Sequence, residues 1–468
     1  MKKISLFLLP ALFAVSCSQS EPPTNLNEDS EPTDQTVNYQ LRTEAEVISL
    51  AQSLVPEGEN LSRSEKKVVD KSNVIKISSH KSRNSDEPLM YAVNYENNDG
   101  YVLISANRNV TPILGIIDSG TFNEEELKDS EAYQFIKEGA EQIAMVGPNP
   151  DLKPIPIEPT DPLPLIMAWK EDTIKSFHCN PPLLEVEWGQ RWPENVCTSN
   201  NRAGCGPIAA MQIMSYFELP ATMKFTYFGD QDYKAIDWKE LKKHKTSTNF
   251  DLENMGMAVN FHYADCPAAP GNHTFLARIA SEVGYRLKST YYKKDDMYPY
   301  FKDGKKYFVT LSSPTTGTDF KDIQSELIKI LPGVTQTYTE SLSSVYSALY
   351  STNNKSVALI YASDKNYKEE DGLDRHAFVV DATANIYYLV TVKYNYNPAD
   401  GSYESIEVLN YTDQEYLHCN WGEAGRCNGY YHIGLLDMEH WKDTITEPQY
   451  IKSRANYISD VRALIYTK

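Results

Sequence analysis

The sequence predicts an α+β protein of two folded units, and three observations carry that expectation. Between Pro148 and Pro164, seven prolines fall within seventeen residues, a composition that makes an extended, semi-rigid linker and not part of a core. Before this run, about 105 residues interleave helical spacing with short strand-like segments. After it, one apolar helix comes early and a series of β-type segments comes late.

The chain opens on Met1-Lys2-Lys3, followed by an apolar run from Ile4 to Val15 that Pro10 interrupts. That run is too short to span a bilayer and has the shape of a signal peptide. It ends in Ala14-Val15-Ser16-Cys17, small residues leading into a cysteine. Residues 1–17 are therefore expected to be a leader that takes the protein out of the cytoplasm. Residues 18–40 are rich in Ser, Glu, Pro, Asn and Thr, with little to bury, and are expected to be a disordered tether.

The first folded unit is placed at 41–147. Thr43-Glu44-Ala45-Glu46 has the form of a capping box, with Val47, Ile48, Ala51 and Leu54 at helical spacing behind it. Val74 to Ile77 and Met90 to Tyr95 read as strands, and Asn98-Asp99-Gly100 turns a hairpin into Tyr101 to Ser105. Ile113 to Ile117 is a further strand, and one helix is expected from Glu124 to Met145. Residues 148–181 are assigned to the linker, with Lys170 and Lys175 in a stretch open to proteolysis. The second unit runs over 182–468. Residues 226–310 are polar, aromatic and irregular, and the pattern does not order them. Helices are expected at Phe320 to Leu331 and Ser341 to Tyr350. Strands are expected at Val357 to Tyr361, Ala377 to Asp381, Tyr387 to Tyr394, Ile406 to Tyr411 and Tyr430 to Ile433.

The net charge of −19 argues against nucleic acid or an anionic membrane surface as a partner. Chemistry concentrates at Ala203-Gly204-Cys205-Gly206-Pro207, where a small-residue elbow feeds a cysteine into an apolar helix running to about Phe217. A proline in the first helical turn costs no hydrogen bond, and a helix N-terminus favours thiolate over thiol. The alternative is a small core cysteine. A nucleophilic cysteine needs a base. His376 opens the apolar stretch Ala377 to Asp381 directly after a polar, loop-like segment, a fixed position at a strand mouth; a structural histidine is the competing reading. His418, His432 and His440 are weaker contenders. In Leu417-His418-Cys419-Asn420-Trp421-Gly422, the Asn420 oxygen could hold an imidazolium by its Nδ1–H, with Trp421 shielding the bond. A strand end with a turn would write the same residues. Upstream, the Gln190 amide could join the Cys205 backbone N–H in stabilising an oxyanion.

A cysteine, then a histidine, then Asn-Trp, with a glutamine upstream, is the order of papain-like peptidases, and the local wording resembles the streptopain family of secreted bacterial cysteine peptidases. The matching stretches are Gly189-Gln190 with Pro193 and Asn195, Ala203-Gly204-Cys205 with Ala209 to Met214, His376 to Asp381, and Asn420-Trp421-Gly422. The resemblance implies a papain-like catalytic domain over 182–468, a helical part carrying the cysteine and an antiparallel sheet carrying the histidine. It implies an inhibitory prodomain of α+β type over 41–147. It further implies an endopeptidase made as a zymogen, with Cys205 as nucleophile, His376 as base and acid, Gln190 in the oxyanion hole, and Asn420 and Trp421 supporting His376. Protein or peptide substrates and the chain's own prodomain are then its partners, and the mechanism calls for no metal or organic cofactor. Ala14 to Cys17 resembles a bacterial lipobox, which would acylate Cys17 and place the protein at the cell surface or outer membrane; an ordinary secretory signal is the alternative. Two departures stand out. Gly206-Pro207-Ile208 replaces the family's Val-Ala-Thr, and Glu423-Ala424-Gly425 replaces a second Trp-Gly, a change that bears on substrate preference.

Cys179, Cys197, Cys266, Cys419 and Cys427 remain, enough for two disulfides at most, and the pairing is open. Cys419 and Cys427 could bridge strands, or join His418 and His432 around zinc, although that spacing matches no standard site. Another thiol acyl-transfer enzyme, such as a transglutaminase or amidase, would use the same groups. A surface binding protein with a decayed centre would not keep all four roles filled.

Overall fold

The computed structural model describes residues 41–54, 67–79, 87–108, 110–146, 167–244, 246, 272–302, 305–311, 314–351, 355–364, 375–397, 402–410, 414–436 and 459–468. The expected leader, the tether and the proline-rich run itself lie outside them.

The N-terminal elements follow local signals. Helix α1 (Glu44–Ser53) starts on the anticipated capping box, with Thr43 N–H donating to Glu46 Oε2 at 2.7 Å and Glu46 N–H donating to Thr43 Oγ1 at 3.4 Å. Strands β1 (Val69–Ser78), β2 (Pro88–Tyr95), β3 (Tyr101–Ser105) and β4 (Ile113–Ile117) form an antiparallel run in that order. The single helix expected over 124–145 is instead two, α2 (Glu124–Leu127) and α3 (Glu131–Val146). Ser130 causes the break. Its Oγ accepts the Tyr133 N–H at 3.1 Å and its carbonyl accepts Gln134 N–H, so it caps a new helix.

The linker expectation fails over its last part. Residues 167–179 form strand β5 (Met167–Cys179), paired antiparallel along most of its length with the long strand of the C-terminal half. Charge had masked the strand pattern. Asp172 in β5 is buried and pairs with Arg42 at 2.5 Å, both side chains 2% exposed, which ties the start of the N-terminal unit to this strand.

Helix α4 (Cys205–Phe217) lies where the sequence placed it and is buried along nearly its whole length. Ile208, Met211, Ile213 and Met214 are fully buried, each contributing about 1.5–3 kcal/mol relative to exposure. Next come β6 (Thr222–Lys224), β7 (Tyr233–Ala235) and α5 (Trp238–Leu241). Helix α6 (Asn272–Arg286), in the stretch the sequence left unordered, packs on α4 through Leu276, Ile279, Ala280 and Val283. Short strands β8 (Thr290–Tyr292), β9 (Met297–Lys302), β10 (Lys305–Thr310) and β11 (Thr315–Gly317) follow. Beyond them lie α7 (Phe320–Ile330), β12 (Thr335–Thr339), α8 (Leu342–Ser351) and β13 (Ser356–Asp364).

Strand β14 (Arg375–Asn397) is one element where two were expected. Its ladder to the next-but-one strand slips between Val380 and Ala382, which hides the continuity from a period-two reading. After it come β15 (Ser402–Asn410), β16 (Gln414–Asn420), β17 (Gly429–His432), α9 (Ile433–Leu436) and β18 (Ser459–Thr467).

The two units share one sheet. Its order is β1-β2-β3-β4-β17-β16-β14-β13-β18-β12, with β15 and β5 also paired to β14. The seam is β4 against β17, with Ile116 opposite Tyr430 and Ile117 opposite Gly429. Close approach there needs glycine: a Cβ on Gly429 would sit 2.2 Å from the Ile116 carbonyl oxygen. One core continues across the seam, with Ile117, Phe122 and Tyr133 packing together with Leu417, Trp421 and Tyr431. The expected boundary between domains is thus a covered interface, and residues Tyr39–Lys468 form one compact unit.

Cys179, Cys205, Cys419 and Cys427 are free, and Cys197 is disulfide-bonded. The bridge that the spacing of Cys419 and Cys427 allowed is not formed.

Candidate active site

Two loops and two strand ends converge on the first turn of α4. Gly204, at φ +92°, delivers the chain into that helix, and a Cβ there would lie 2.7 Å from Thr316 Cγ2, so only glycine fits without displacement. Cys205 is the first helical residue, half-buried and free. The Ala203 N–H donates to the Gln190 carbonyl at 3.1 Å, which fastens the Gln190 loop to the cysteine loop. His376, the second residue of β14, is 4% exposed and stands close enough to Cys205 for the thiol to act on the imidazole. Sulfur, imidazole and the Gln190 amide therefore share a single cleft.

Nδ1 of His376 faces the Glu131 carboxylate at 2.9 Å, and Nε2 donates to the Trp421 backbone carbonyl at 2.8 Å. The Trp421 ring stacks against the imidazole, with centroids 5.9 Å apart, and also packs on Phe378. This corrects the expected support. Asn420 does not hold the ring: its Oδ1 accepts from Gln212 Nε2 at 2.8 Å and from Gly422 N–H at 3.3 Å, while its Nδ2 donates to the Val186 carbonyl at 2.8 Å. Both ends of the carboxamide are committed to fixing the turn that presents the Trp421 carbonyl. Both ring nitrogens are thus engaged, Nε2 by the Trp421 carbonyl and Nδ1 by the Glu131 carboxylate.

The residue the sequence reading missed is Glu131. It begins α3 in the N-terminal unit, and the same Oε2 that meets His376 accepts from Gln190 Nε2 at 3.3 Å. The segment is clasped on both sides. Glu423 accepts the Ser130 hydroxyl at 2.6 Å and the Ala132 N–H at 3.0 Å. One turn further on, Phe135 packs on Trp421 at 5.6 Å. Burial pulls the His376 imidazole down, but the Cys205 thiol and the Glu131 carboxylate outweigh it and hold the ring well above its ordinary value. Burial alone would raise Glu131, yet His376, Gln190 and Arg202 keep its carboxyl below the usual range. Both shifts favour the charged forms of the two partners.

Behind the Gln190 loop, Thr246 Oγ1 accepts the Gly189 N–H at 2.9 Å and donates to Glu194 Oε1 at 2.6 Å. Glu194 is fully buried, and desolvation pushes its carboxyl up to about 8. His418, a weaker candidate base by sequence, belongs to a different cluster. It lies between Asp381 and Asp118 of the N-terminal unit, 2.8 Å from the latter. Burial lowers it, but the two carboxylates prevail and raise it to about 10. His432 Nε2 pairs with Gln414 instead, so no His418–Cys419–Cys427–His432 centre assembles. No signal in the sequence marked Glu131 or Glu423 beyond the departure from Trp-Gly at position 423.

Residues 188–431 match the peptidase C10 family, and residues 48–143 match the Spi protease inhibitor family. A curated relative, the thiol protease/hemagglutinin PrtT of Porphyromonas gingivalis, is 22% identical over 389 residues, covering 76% of this chain and 35% of the relative. The chain thus spans about a third of that protein's length. A solved fragment of Prevotella intermedia prointerpain A matches at 15% identity with a TM-score of 0.40, covering 84% of this chain and 97% of the fragment.

Proposed function

The chain belongs to the peptidase C10 family, a cysteine-type peptidase preceded by an inhibitor-like prodomain, and we propose that Cys205, His376 and Gln190 form its catalytic centre. The observation that carries this reading is the convergence of sulfur, imidazole and carboxamide on one cleft, where Glu131 now bonds both His376 and Gln190. In the reaction, Cys205 gives its proton to Nδ1 of His376, and the thiolate attacks the peptide carbonyl carbon. The carbonyl oxygen becomes an oxyanion held by the Gln190 amide and the Cys205 N–H. The C–N bond breaks as His376 returns the proton to the leaving nitrogen, and a thioester remains. Water, deprotonated by His376, attacks the thioester, releasing the carboxylic acid and restoring the thiol. Through its carbonyl, Trp421 keeps Nε2–H occupied, so that Nδ1 is the nitrogen that moves the proton, and Asn420 positions that carbonyl.

Glu131 accounts for the zymogen. Its carboxylate takes the donor meant for the oxyanion and the imidazole meant for the substrate, so the unprocessed chain is inhibited from within. Cleavage within the proline-rich run at 148–166 would release it. Export through the leader at 1–17, with acylation of Cys17 and anchoring at the cell surface, completes the proposal.

A transglutaminase or amidase could use the same groups, and isotope incorporation separates the readings. Digestion of an unfolded protein in H₂¹⁸O is expected to give new C-termini that each carry ¹⁸O. Crosslinked product with ammonia release and no new termini would favour acyl transfer to an amine instead.

A further inference from the structure

A pocket beside the catalytic centre is lined from the catalytic side by Gln190, Arg191, Arg202, Glu423 and Arg426, and from the prodomain side by Asp129 and Glu131. Three arginines thus stand against one carboxylate on the wall that stays with the enzyme, and two carboxylates come from the part that leaves. Of the three, Arg426 already spends part of its charge on Glu423, 3.4 Å away. Arg202 acts on Glu131 itself, helping to keep it ionised. Gln190, which joins Arg191, accepts the Ala203 N–H, so Arg191 and Arg202 stand on the two strands of one loop at the cleft edge. The protein as a whole carries −19, so its general field repels acidic substrates, and this wall is a local exception.

We propose that the processed enzyme prefers substrates with an acidic side chain beside the scissile bond, held by Arg202 and Arg191. The inference rests on the peptidase reading and names its substrate class. Glu131 is the template: its carboxylate is an anion that this wall already accepts, and release of the prodomain takes Glu131 and Asp129 away from the arginines. Asp and Glu differ from Asn and Gln here only in charge, so isosteric peptide pairs isolate the effect.

The test uses the full chain after self-processing, with peptides that differ only by Glu or Gln at each of the three positions on either side of the bond. At one or more positions the Glu peptide is expected to show a kcat/KM roughly fivefold or more above its Gln partner at low salt, an advantage that shrinks as salt screens it. Arg202→Gln combined with Arg191→Gln is expected to bring each pair within about twofold, read as the Glu-to-Gln ratio so that any loss common to both peptides cancels. Equal turnover of every pair, or faster turnover of Lys peptides, overturns the proposal. Should no peptide be hydrolysed, the peptidase reading fails, but the charge of the cleft is still read by alkylation of Cys205 in the Glu131→Gln chain. Iodoacetate is then expected to gain on iodoacetamide relative to a free cysteine peptide, and the Arg202→Gln change to cancel that gain. An unchanged reagent ratio overturns the cationic cleft on its own.

Discussion

Replacing Cys205 by alanine is expected to abolish peptide hydrolysis and self-processing together, a loss on the order of 10⁴- to 10⁶-fold in rate. In the proposed reaction the sulfur is the atom that forms and breaks the thioester, and among the described residues no other cysteine is placed to substitute. Cys419 and Cys427 are buried, Cys179 is the end of β5, and Cys197 is disulfide-bonded. Folding should be spared, because Cys205 is half-buried at a helix start and alanine suits that position. A time course on purified full chain, followed by gel and by peptide hydrolysis, checks both activities. Self-cleavage retained by the variant would remove the thiol from the mechanism.

Glu131→Gln should accelerate activation of the full chain by about tenfold, the lower end expected for losing charge-assisted hydrogen bonds. The lower end applies because the Glu131 side chain is 54% exposed and solvent screens the pair. The pH dependence has a definite sign. Glu131 is held below its ordinary 4.5, so its contribution to prodomain docking is present above that value and disappears as the pH falls through the lowered one. His376 is held above its ordinary 6.5, so its contribution is complete below 6.5 and disappears as the pH rises through the raised value. Docking is therefore firmest between the two, and acidification should speed activation of the wild-type chain. In the glutamine variant the acid step should vanish. Processing rates measured across pH for both chains decide the matter, and an identical acid step in both would show that Glu131 is not the group being titrated.

Legibility in the sequence followed locality. Strands β3 and β4 and helix α4 lie where hydrophobic spacing, a hairpin turn and a proline-bearing first turn placed them. Strand β5 escaped because its partner is some 200 residues away in β14, and its alternation is carried by Lys, Glu and Asp beside a proline run. The split between α2 and α3 was invisible until Ser130 could be seen turning its hydroxyl to Tyr133 N–H. Of the residues proposed for the site, Gln190, Cys205, His376 and Trp421 could be picked out in the sequence because each sits in a short pattern with a chemical reason. The contact expected of Asn420 was not, since the pattern gives the residue type but not whether its carboxamide reaches the ring or the turn behind it. Glu131 is one of several acidic residues between 124 and 131, and only tertiary structure distinguishes the one that reaches His376.

The most direct measurement is labelling of the processed chain by a peptidyl electrophile, mapped by mass spectrometry. One label per chain is expected, on Cys205, with the exposed thiol of Cys179 untouched, and labelling at least about 100-fold slower in His376→Ala. A label on Cys179, or an equal rate without the imidazole, would contradict the proposed mechanism.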